Sequence, residues 1–349
     1  MLVHLTGFCN VHVCIPETSM THDVTFVLCI ENNSIRPQAL LLCESIREFC
    51  GRHRNAPIYA IAPRPGLGVD METQRALKNL NVEYVEKPLS LLCPEYAPTN
   101  RIFSGAWAEQ QASTEFLVVL DSDTIFLDEP ELSDEVDVFV RPVDSKGSTT
   151  TGPGDPFEDY WQNMARISGI SIEQLPFLTT TICKQRIRAS YNAGLTVARR
   201  NKGVMARCAD IFSESFRASL KPHREGTVNI FASTGFVGPA GSAYWGSSQT
   251  ALSLAIWSAT SRVAEYDARY NIPLHLLAKQ QPMDPIWGAA SPVHIHYHWM
   301  FQRQSVNEAL SVMSRLGVDQ PRLDWLQKRL PLPDSPRKPV QPIRSLRWV

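Results

Sequence analysis

The stretch 116–126 constrains this chain more than any other. Leu117, Val118, Val119 and Leu120 are four consecutive apolar residues, two of them β-branched, and they follow the polar Ser113, Thr114 and Glu115. Such a run reads as a short strand buried on both faces, the kind found inside a parallel sheet. Asp121 and Asp123 follow where that strand leaves the core. In extended backbone, residues two apart point the same way, so both carboxylates are expected on one side. Like charges held that close repel unless a cation or a shared proton compensates, and a hard divalent metal is the usual partner of oxygen ligands. The carboxyl end of a strand is also where open α/β sheets bind their ligands.

The rest of the chain supplies the neighbours of that strand. β signals at 24–30, 58–62, 80–85 and 136–140 alternate with helical stretches at 37–50, 100–111 and 203–219 and a short helix at 249–257. Pro37 suits a first helical turn, with Leu41, Leu42 or Cys43, Ile46 and Phe49 on the buried stripe. The alternation predicts an α/β fold with a mostly parallel central sheet flanked by helices. With 349 residues and 44% hydrophobic content, the chain can bury one large core. The main domain is expected over 24–301. Residues 1–23 read as an N-terminal extension that can add an edge strand, and 302–349 as an amphipathic helix at 306–316 followed by a Pro-rich, basic tail.

A formal net charge of -1 gives no electrostatic footprint for nucleic acid or a membrane surface. No apolar run approaches the roughly 18 residues of a membrane helix, and the start lacks the pattern of a secretory leader. Eight cysteines form no C-x-x-C pair, and several lie in apolar runs, as reduced core residues of a cytoplasmic protein do.

Two further stretches carry chemistry. The last β signal, 292–299, places His294, His296 and His298 at alternate positions, so all three imidazoles are expected on one face. One of them, opposed to the aspartate pair, would complete a metal site with positions left for substrate oxygens. The second stretch, 144–161, is a long loop rich in Gly, Thr, Pro and acids, and loops of that length are usually functional or disordered.

The order of these pieces resembles a known family. Asp121-Ser122-Asp123-Thr124, then Tyr191-Asn192-Ala193-Gly194-Leu195, the helix containing Gln249, Tyr270-Asn271-Ile272-Pro273 and finally Ile295-His296-Tyr297-His298 look like a nucleotide-sugar-dependent glycosyltransferase of the GT-A fold, with a Rossmann-like sheet. The similarity is greatest to the retaining, glycogenin-like and plant-type branches, in which a late histidine joins the D-x-D aspartates on Mn²⁺ or Mg²⁺. The resemblance implies that Asp121 contacts the ribose side of the nucleotide and the metal, Asp123 the metal, and His296, directly before the aromatic Tyr297, the metal and diphosphate. It also implies a nucleoside-diphosphate sugar donor, UDP-linked in the first instance, with Gln249 beneath the donor sugar, where the residue can equally be a helix cap beside Ser247 and Ser248.

Other roles follow from the residues themselves. Asn192 and Gly194 open a strand near the site, where an amide can hold sugar hydroxyls or simply make a turn. Arg101, at the start of the helix before the aspartate strand, can pair with phosphate or stay a solvated surface group. On a straight strand His296 and His298 would stand about 6.6 to 6.8 Å apart. Bonds of roughly 2 Å to one ion then cannot reach both without a bend; the resemblance, in which the ligand directly precedes an aromatic, implies His296 as the ligand, with His298 the second choice and His294 a packing residue or one that supports the ligands. The turn 244–249 carries no acid to act as base, which favours retention, unless Asp155, Glu158 or Asp159 folds back. The acceptor, whether saccharide, small molecule or protein, is expected near 144–176 and 233–245, where Tyr160, Trp161, Tyr244 and Trp245 can stack on a sugar or merely pack.

Two other readings compete. The run 117–125 also matches, imperfectly, the aspartate motif of haloacid-dehalogenase-like phosphatases with Asp121 as phosphoryl nucleophile, and 154–159 is a formal match to that family's second acidic motif. The third is a nucleotide-sugar binding module without turnover.

Overall fold

The computed structural model describes residues 23–232, 235–280 and 282–333. The edge strand expected within 1–23 and the tail beyond 333 lie outside them. The first half of the chain runs β1 (Val24–Cys29), α1 (Ile35–Phe49), β2 (Ile58–Ala62), α2 (Met71–Asn79), β3 (Glu83–Glu86), α3 (Thr99–Gln111), β4 (Phe116–Leu120), β5 (Thr124–Phe126), β6 (Val138–Pro142) and α4 (Glu158–Ile167). A hairpin of β7 (Phe177–Thr179) and β8 (Arg186–Arg188) leads into β9 (Tyr191–Arg199) and α5 (Val204–Arg217). There follow β10 (Ile230–Ala232), β11 (Gly235–Val237), α6 (Pro239–Ala243), α7 (Ser247–Ala259), β12 (Val263–Glu265), β13 (Ile272–Pro273), α8 (Leu274–Leu277), β14 (His294–His296), α9 (Val306–Arg315) and α10 (Gln320–Gln327).

The central sheet has seven strands in the order β12-β6-β9-β4-β1-β2-β3. All neighbours are parallel except β9, which runs against both β4 and β6. β4 and β6 therefore share a direction, and their carboxyl ends open at the same edge. Side chains alternate across β4 as a doubly buried strand requires. Leu117 and Val119 enter the core beneath α3, α5 and α7, while Phe116, Val118 and Leu120 pack with α1 and β2 on the other face. The mostly parallel α/β sheet expected from the sequence is what the structure contains.

Several boundaries differ from expectation. The strand expected at 80–85 begins only at Glu83, because α2 precedes it and ends in a turn where Asn81 takes the left-handed φ of 53°. That helix starts at an Asp70 cap whose carboxylate accepts from the Thr73 amide, a start signal in a segment that buries only Thr73 and Leu77. The long loop also ends earlier than expected, since Glu158 to Trp161 already belong to α4.

A second, three-stranded sheet in the order β13-β14-β5 stands beside the first. Beneath it a third core gathers Ile125, Leu127, Ile295, Tyr297 and Phe301 with Ala309, Val312, Met313, Leu316, Leu323 and Leu326 of the last two helices and the turns between them. No helix among the described residues is long and apolar enough to cross a membrane.

At the carboxyl end of β1, Glu31 is fully buried. Arg64 clasps it with two nitrogens, Nε at 2.8 Å, and the Asn100 amide donates at 3.2 Å. Removing one partner of a buried pair leaves an uncompensated charge, so Arg64→Leu is expected to cost about 3 kcal/mol, read as a lower denaturation midpoint in urea.

Candidate functional site

Asp121 and Asp123 flank a turn rather than lying on extended backbone, and both carboxylates come to the same imidazole, His296 Nε2, at 4.0 and 3.2 Å. The hydroxyl of Thr124 donates to the Asp121 carbonyl at 2.7 Å and closes a turn between β4 and β5. Asp121 keeps the parity of Leu117 and Val119 and so faces α3, where the buried Arg101 guanidinium donates to its Oδ1. Burial alone would lower the Arg101 pKa, but the Asp121 carboxylate more than offsets it. Arg101 is therefore neither a solvated surface group nor a free cation; its charge is met by Asp121. Asp123 follows within that turn, which the Ser122 hydroxyl, donating to the Cys29 carbonyl at 2.5 Å, ties to β1.

Of the three histidines, His294 and His296 hold alternate positions on β14, and His298 lies beyond the strand. β14 pairs antiparallel with β5, setting His296 opposite Thr124 and His294 opposite Phe126. His294 is buried with its ring centroid 4.7 Å from that of Phe126. The strand then stops. His298 adopts a left-handed φ of 54°, an uncommon conformation for a residue with a side chain and one that clusters at functional sites. This bend folds His298 back until its ring stacks on His296 at 4.0 Å, where a straight strand would hold the two about 6.6 to 6.8 Å apart.

Both imidazoles reach Asp123. His296 Nε2 lies 3.2 Å from Oδ1 and His298 Nδ1 3.3 Å from Oδ2. Ligand atoms of these three residues all fall within 4.8 Å of one another, the separation a single bound ion needs. Asp121 stands just outside, its Oδ2 4.0 Å from His296 Nε2. Burial would raise the Asp123 pKa, but the two imidazoles hold it well below the usual carboxylate range. Burial pushes His296 down and Asp123 pushes it up, with a net rise, whereas burial prevails at His298.

Gly194 and Asn192 support this cluster. A Cβ on Gly194 would lie 2.5 Å from His296 Nδ1 and 2.6 Å from Asn271 Oδ1, so the glycine makes room for the imidazole. Its N–H donates to Asn192 Oδ1 at 3.1 Å and its carbonyl accepts from the Asp121 amide at 3.1 Å. The Asn192 amide in turn donates to Asp144 Oδ2 at 3.0 Å.

A cleft of about 490 Å³ opens over these residues. Arg101, Asp121, Asp123, Asn192, Gln249, His296 and His298 all line it, together with Asp144, Lys146, His275, Trp245 and Trp299. The other depression, about 550 Å³ and remote from the cluster, is lined by Arg199, Lys202 and Arg262. All three cations pair with the buried Asp137, so it is an ion-pair knot on the sheet edge. Gln249 enters the cleft from the first turn of α7, whose cap is Gly246 rather than Ser247 or Ser248. Those serines bond instead with the hydroxyls of Tyr160 and Tyr96.

Four acids and four aromatics need correcting or adding. Asp155 pairs with Lys146 at 3.0 Å, Glu158 bonds Thr150 and Asp159 is exposed on α4, and none of them lines the cleft. Asp144 does, and sequence reasoning passed over it, although its place at the carboxyl end of β6 is the signal that marked Asp121. Tyr160, Trp161 and Tyr244 are 8%, 1% and 5% exposed and belong to the core, while Trp299, unmentioned by any pattern, is 41% exposed at the cleft rim.

Comparisons with known proteins bear on the whole chain. No curated protein matches it. Among solved structures, it is similar to the apo structure of the bifunctional glycosyltransferase WbbM (12% identity, TM-score 0.43), covering 89% of this chain but spanning only 52% of that one. It is also similar to the galactosyltransferase LgtC in complex with donor and acceptor sugar analogues (11% identity, TM-score 0.41), covering 86% of this chain and 99% of that one. The family profile described as the Rhodobacterales glycosyltransferase domain matches residues 26–258, well over half of the chain. That match displaces the phosphatase reading of Asp121. The chain belongs to the Rhodobacterales glycosyltransferase domain family.

Proposed function

We propose that this glycosyltransferase is of the GT-A, D-x-D type and moves a sugar from a nucleoside-diphosphate sugar, in the first instance a UDP-sugar, to an acceptor hydroxyl with retention of anomeric configuration. The observation that carries this reading is the convergence of Asp123, His296 and His298 at one point of the cleft. One carboxylate and two imidazoles 3.2–3.3 Å from it suit a first-row divalent ion with bonds of about 2 Å. The mixed nitrogen and oxygen set favours Mn²⁺ over Mg²⁺, which prefers oxygen and octahedral geometry. A divalent ion held by Asp123, His296 and His298 would supply Lewis-acid stabilisation of the negative charge that develops on the leaving diphosphate.

The protein's own groups prepare the site. Arg101 neutralises Asp121, so an incoming diphosphate does not meet two unbalanced carboxylates, and the free Oδ2 of Asp121 is placed to accept from a ribose hydroxyl. Asn192 orders Gly194 and Asp144. Gln249 offers an amide to the donor sugar from the first turn of α7. Retention is supported by the absence of Asp155, Glu158 and Asp159 from the cleft lining. The exposed Trp299 supplies a flat apolar face on which an acceptor sugar can stack. Cys29, Cys43, Cys50, Cys93 and Cys208 are buried and free, which fits the reducing cytoplasm.

Calorimetry with UDP and GDP, each with Mn²⁺ and with a chelator, tests the reading. Tight binding only in the presence of the ion is expected. Equal affinity in chelator would remove the metal from the mechanism.

A further inference from the structure

Asp144 is a carboxylate in the cleft for which the metal site has no use. It follows directly on Val143 at the carboxyl end of β6, so it stands on the same edge of the sheet as Asp121. Its backbone is pinned, because its carbonyl accepts from the amides of Ile182 and Cys183 at 3.1 and 3.0 Å. Its side chain is pinned as well. The Thr181 hydroxyl donates to Oδ1 at 2.6 Å and the Asn192 amide to Oδ2 at 3.0 Å.

These two partners do not account for the charge. Both donors are neutral, and among the described residues no lysine or arginine makes an ion pair with Asp144. The imidazoles of His296 and His298 act on its charge from a distance but are engaged with Asp123, and Arg141 donates to the Tyr266 carbonyl at 2.8 Å and lies 5.1 Å over the Trp287 ring. A half-buried carboxylate without a cation is costly to keep, and holding a loop to β9 through Thr181 and Asn192 needs only a neutral acceptor. A carboxylate offers about four lone-pair sites, and two are in use here. The other two are left for a ligand in the cleft that Asp144 lines together with Asn192 and Gln249.

We propose that Asp144 accepts a hydrogen bond from a hydroxyl of the transferred sugar and so selects which donor sugar the cleft takes. This rests on the donor reading above and names the recognising group within it. A sugar ring is a neutral polyol rich in O–H donors, and an ionised acceptor makes the strong, short hydrogen bond that fixes such a ring. A site built to bond a given hydroxyl rejects the ring that lacks it or turns it away, because the carboxylate is then left unpaired. Asp144 is not offered as a metal ligand, since it is not among the side chains whose ligand atoms converge at Asp123, His296 and His298.

The test is calorimetry in Mn²⁺ on the full chain, with UDP, UDP-glucose, UDP-galactose, GDP and GDP-mannose as probes. The quantity read is the Kd of each sugar nucleotide divided by the Kd of its bare nucleotide. Asp144→Asn is expected to raise that ratio at least tenfold for the sugar the wild type binds best, while the Kd of the bare nucleotide stays within twofold. Thr181→Val is the companion variant. It removes a pinning bond outside the cleft lining but keeps the carboxylate, and it is expected to leave the ratio near wild type. An unchanged ratio in Asp144→Asn overturns the assignment, as does an equal rise in Thr181→Val, which would make Asp144 a loop anchor. A variant that binds every donor normally yet has no turnover also overturns it, and places the carboxylate on the acceptor's proton instead. If the wild type itself binds none of the five probes, the donor reading fails first and is recognised by that.

Discussion

Asp123→Asn is expected to lower Mn²⁺ affinity about a hundredfold or more, beyond what loss of an outer-shell partner costs, and to abolish turnover. Asparagine keeps the shape and one acceptor, so the two imidazoles still find an oxygen, but the charge that draws a cation is gone. The effect has a pH signature. In the metal-free protein, Asp123 holds its proton only far below the usual carboxylate range, and His296 holds its own above the ordinary imidazole value. A carboxylate with a depressed pKa contributes stability that is lost as pH falls through that value. A histidine with a raised pKa contributes stability that is present below its ordinary value and lost as pH rises through the raised one. The ion pair therefore stabilises the apo protein most at mildly acidic pH. Wild type should out-melt the variant there, and the gap should close in alkali. Mn²⁺ competes with the same His296 proton, so metal affinity should climb as pH rises through that value. Melting curves and Mn²⁺ titrations at pH 6, 7 and 8 read both trends. A variant that binds Mn²⁺ like the wild type would remove Asp123 from the metal site.

Gly194→Ala is the second large effect, and it involves no charge at all. The added methyl would sit 2.5 Å from His296 Nδ1, 2.6 Å from Asn271 Oδ1 and 2.8 Å from His296 Cε1. Contacts that close do not occur, so the buried imidazole must leave the position in which it meets Asp123. Gly194 is not among the residues with positive φ, so alanine suits the backbone and the consequence is purely steric. Overpacking of this kind costs about 1 to 3 kcal/mol. Mn²⁺ affinity is expected to fall tenfold or more, because metal ligands tolerate little displacement. Urea denaturation measures the first and metal titration the second. If both are unchanged, the ring has slack that the geometry denies it.

What the sequence discloses depends on how local the physics is. The strand Phe116–Leu120 is legible because all of its residues are apolar and both faces are buried. Asp123 and His296 are legible as a pair because each sits in a short pattern whose order along the chain is informative. Asp121 and Asp123 do meet at one imidazole, His296, but the turn that brings them there, closed by the Thr124 hydroxyl, is not legible in an extended-strand reading. The pairing of Arg101 with Asp121 was within reach, since the parity of Leu117 and Val119 already points Asp121 at α3. The position of His298 was not. A left-handed histidine carries no compositional mark, and only the packing around it selects that conformation. Helix α2 is missed for a different reason, as it buries too little for a periodic stripe to show.

The three-stranded sheet has a consequence for fidelity. His296 and Thr124 sit opposite each other on β14 and β5, which brings His296 to Asp123 across 173 residues of sequence. Side chains alternate with period two, so a slip of one residue would present Ile295 or Tyr297 to Asp123 and bury an imidazole in hydrocarbon. Nothing in three pairs of residues forbids that slip. The apolar undersides do, because Ile125, Ile295 and Tyr297 drop into a core walled by α9 and α10. Those two helices, the last in the described chain and remote from every reacting atom, act as the ratchet that lets the strand click into one notch only.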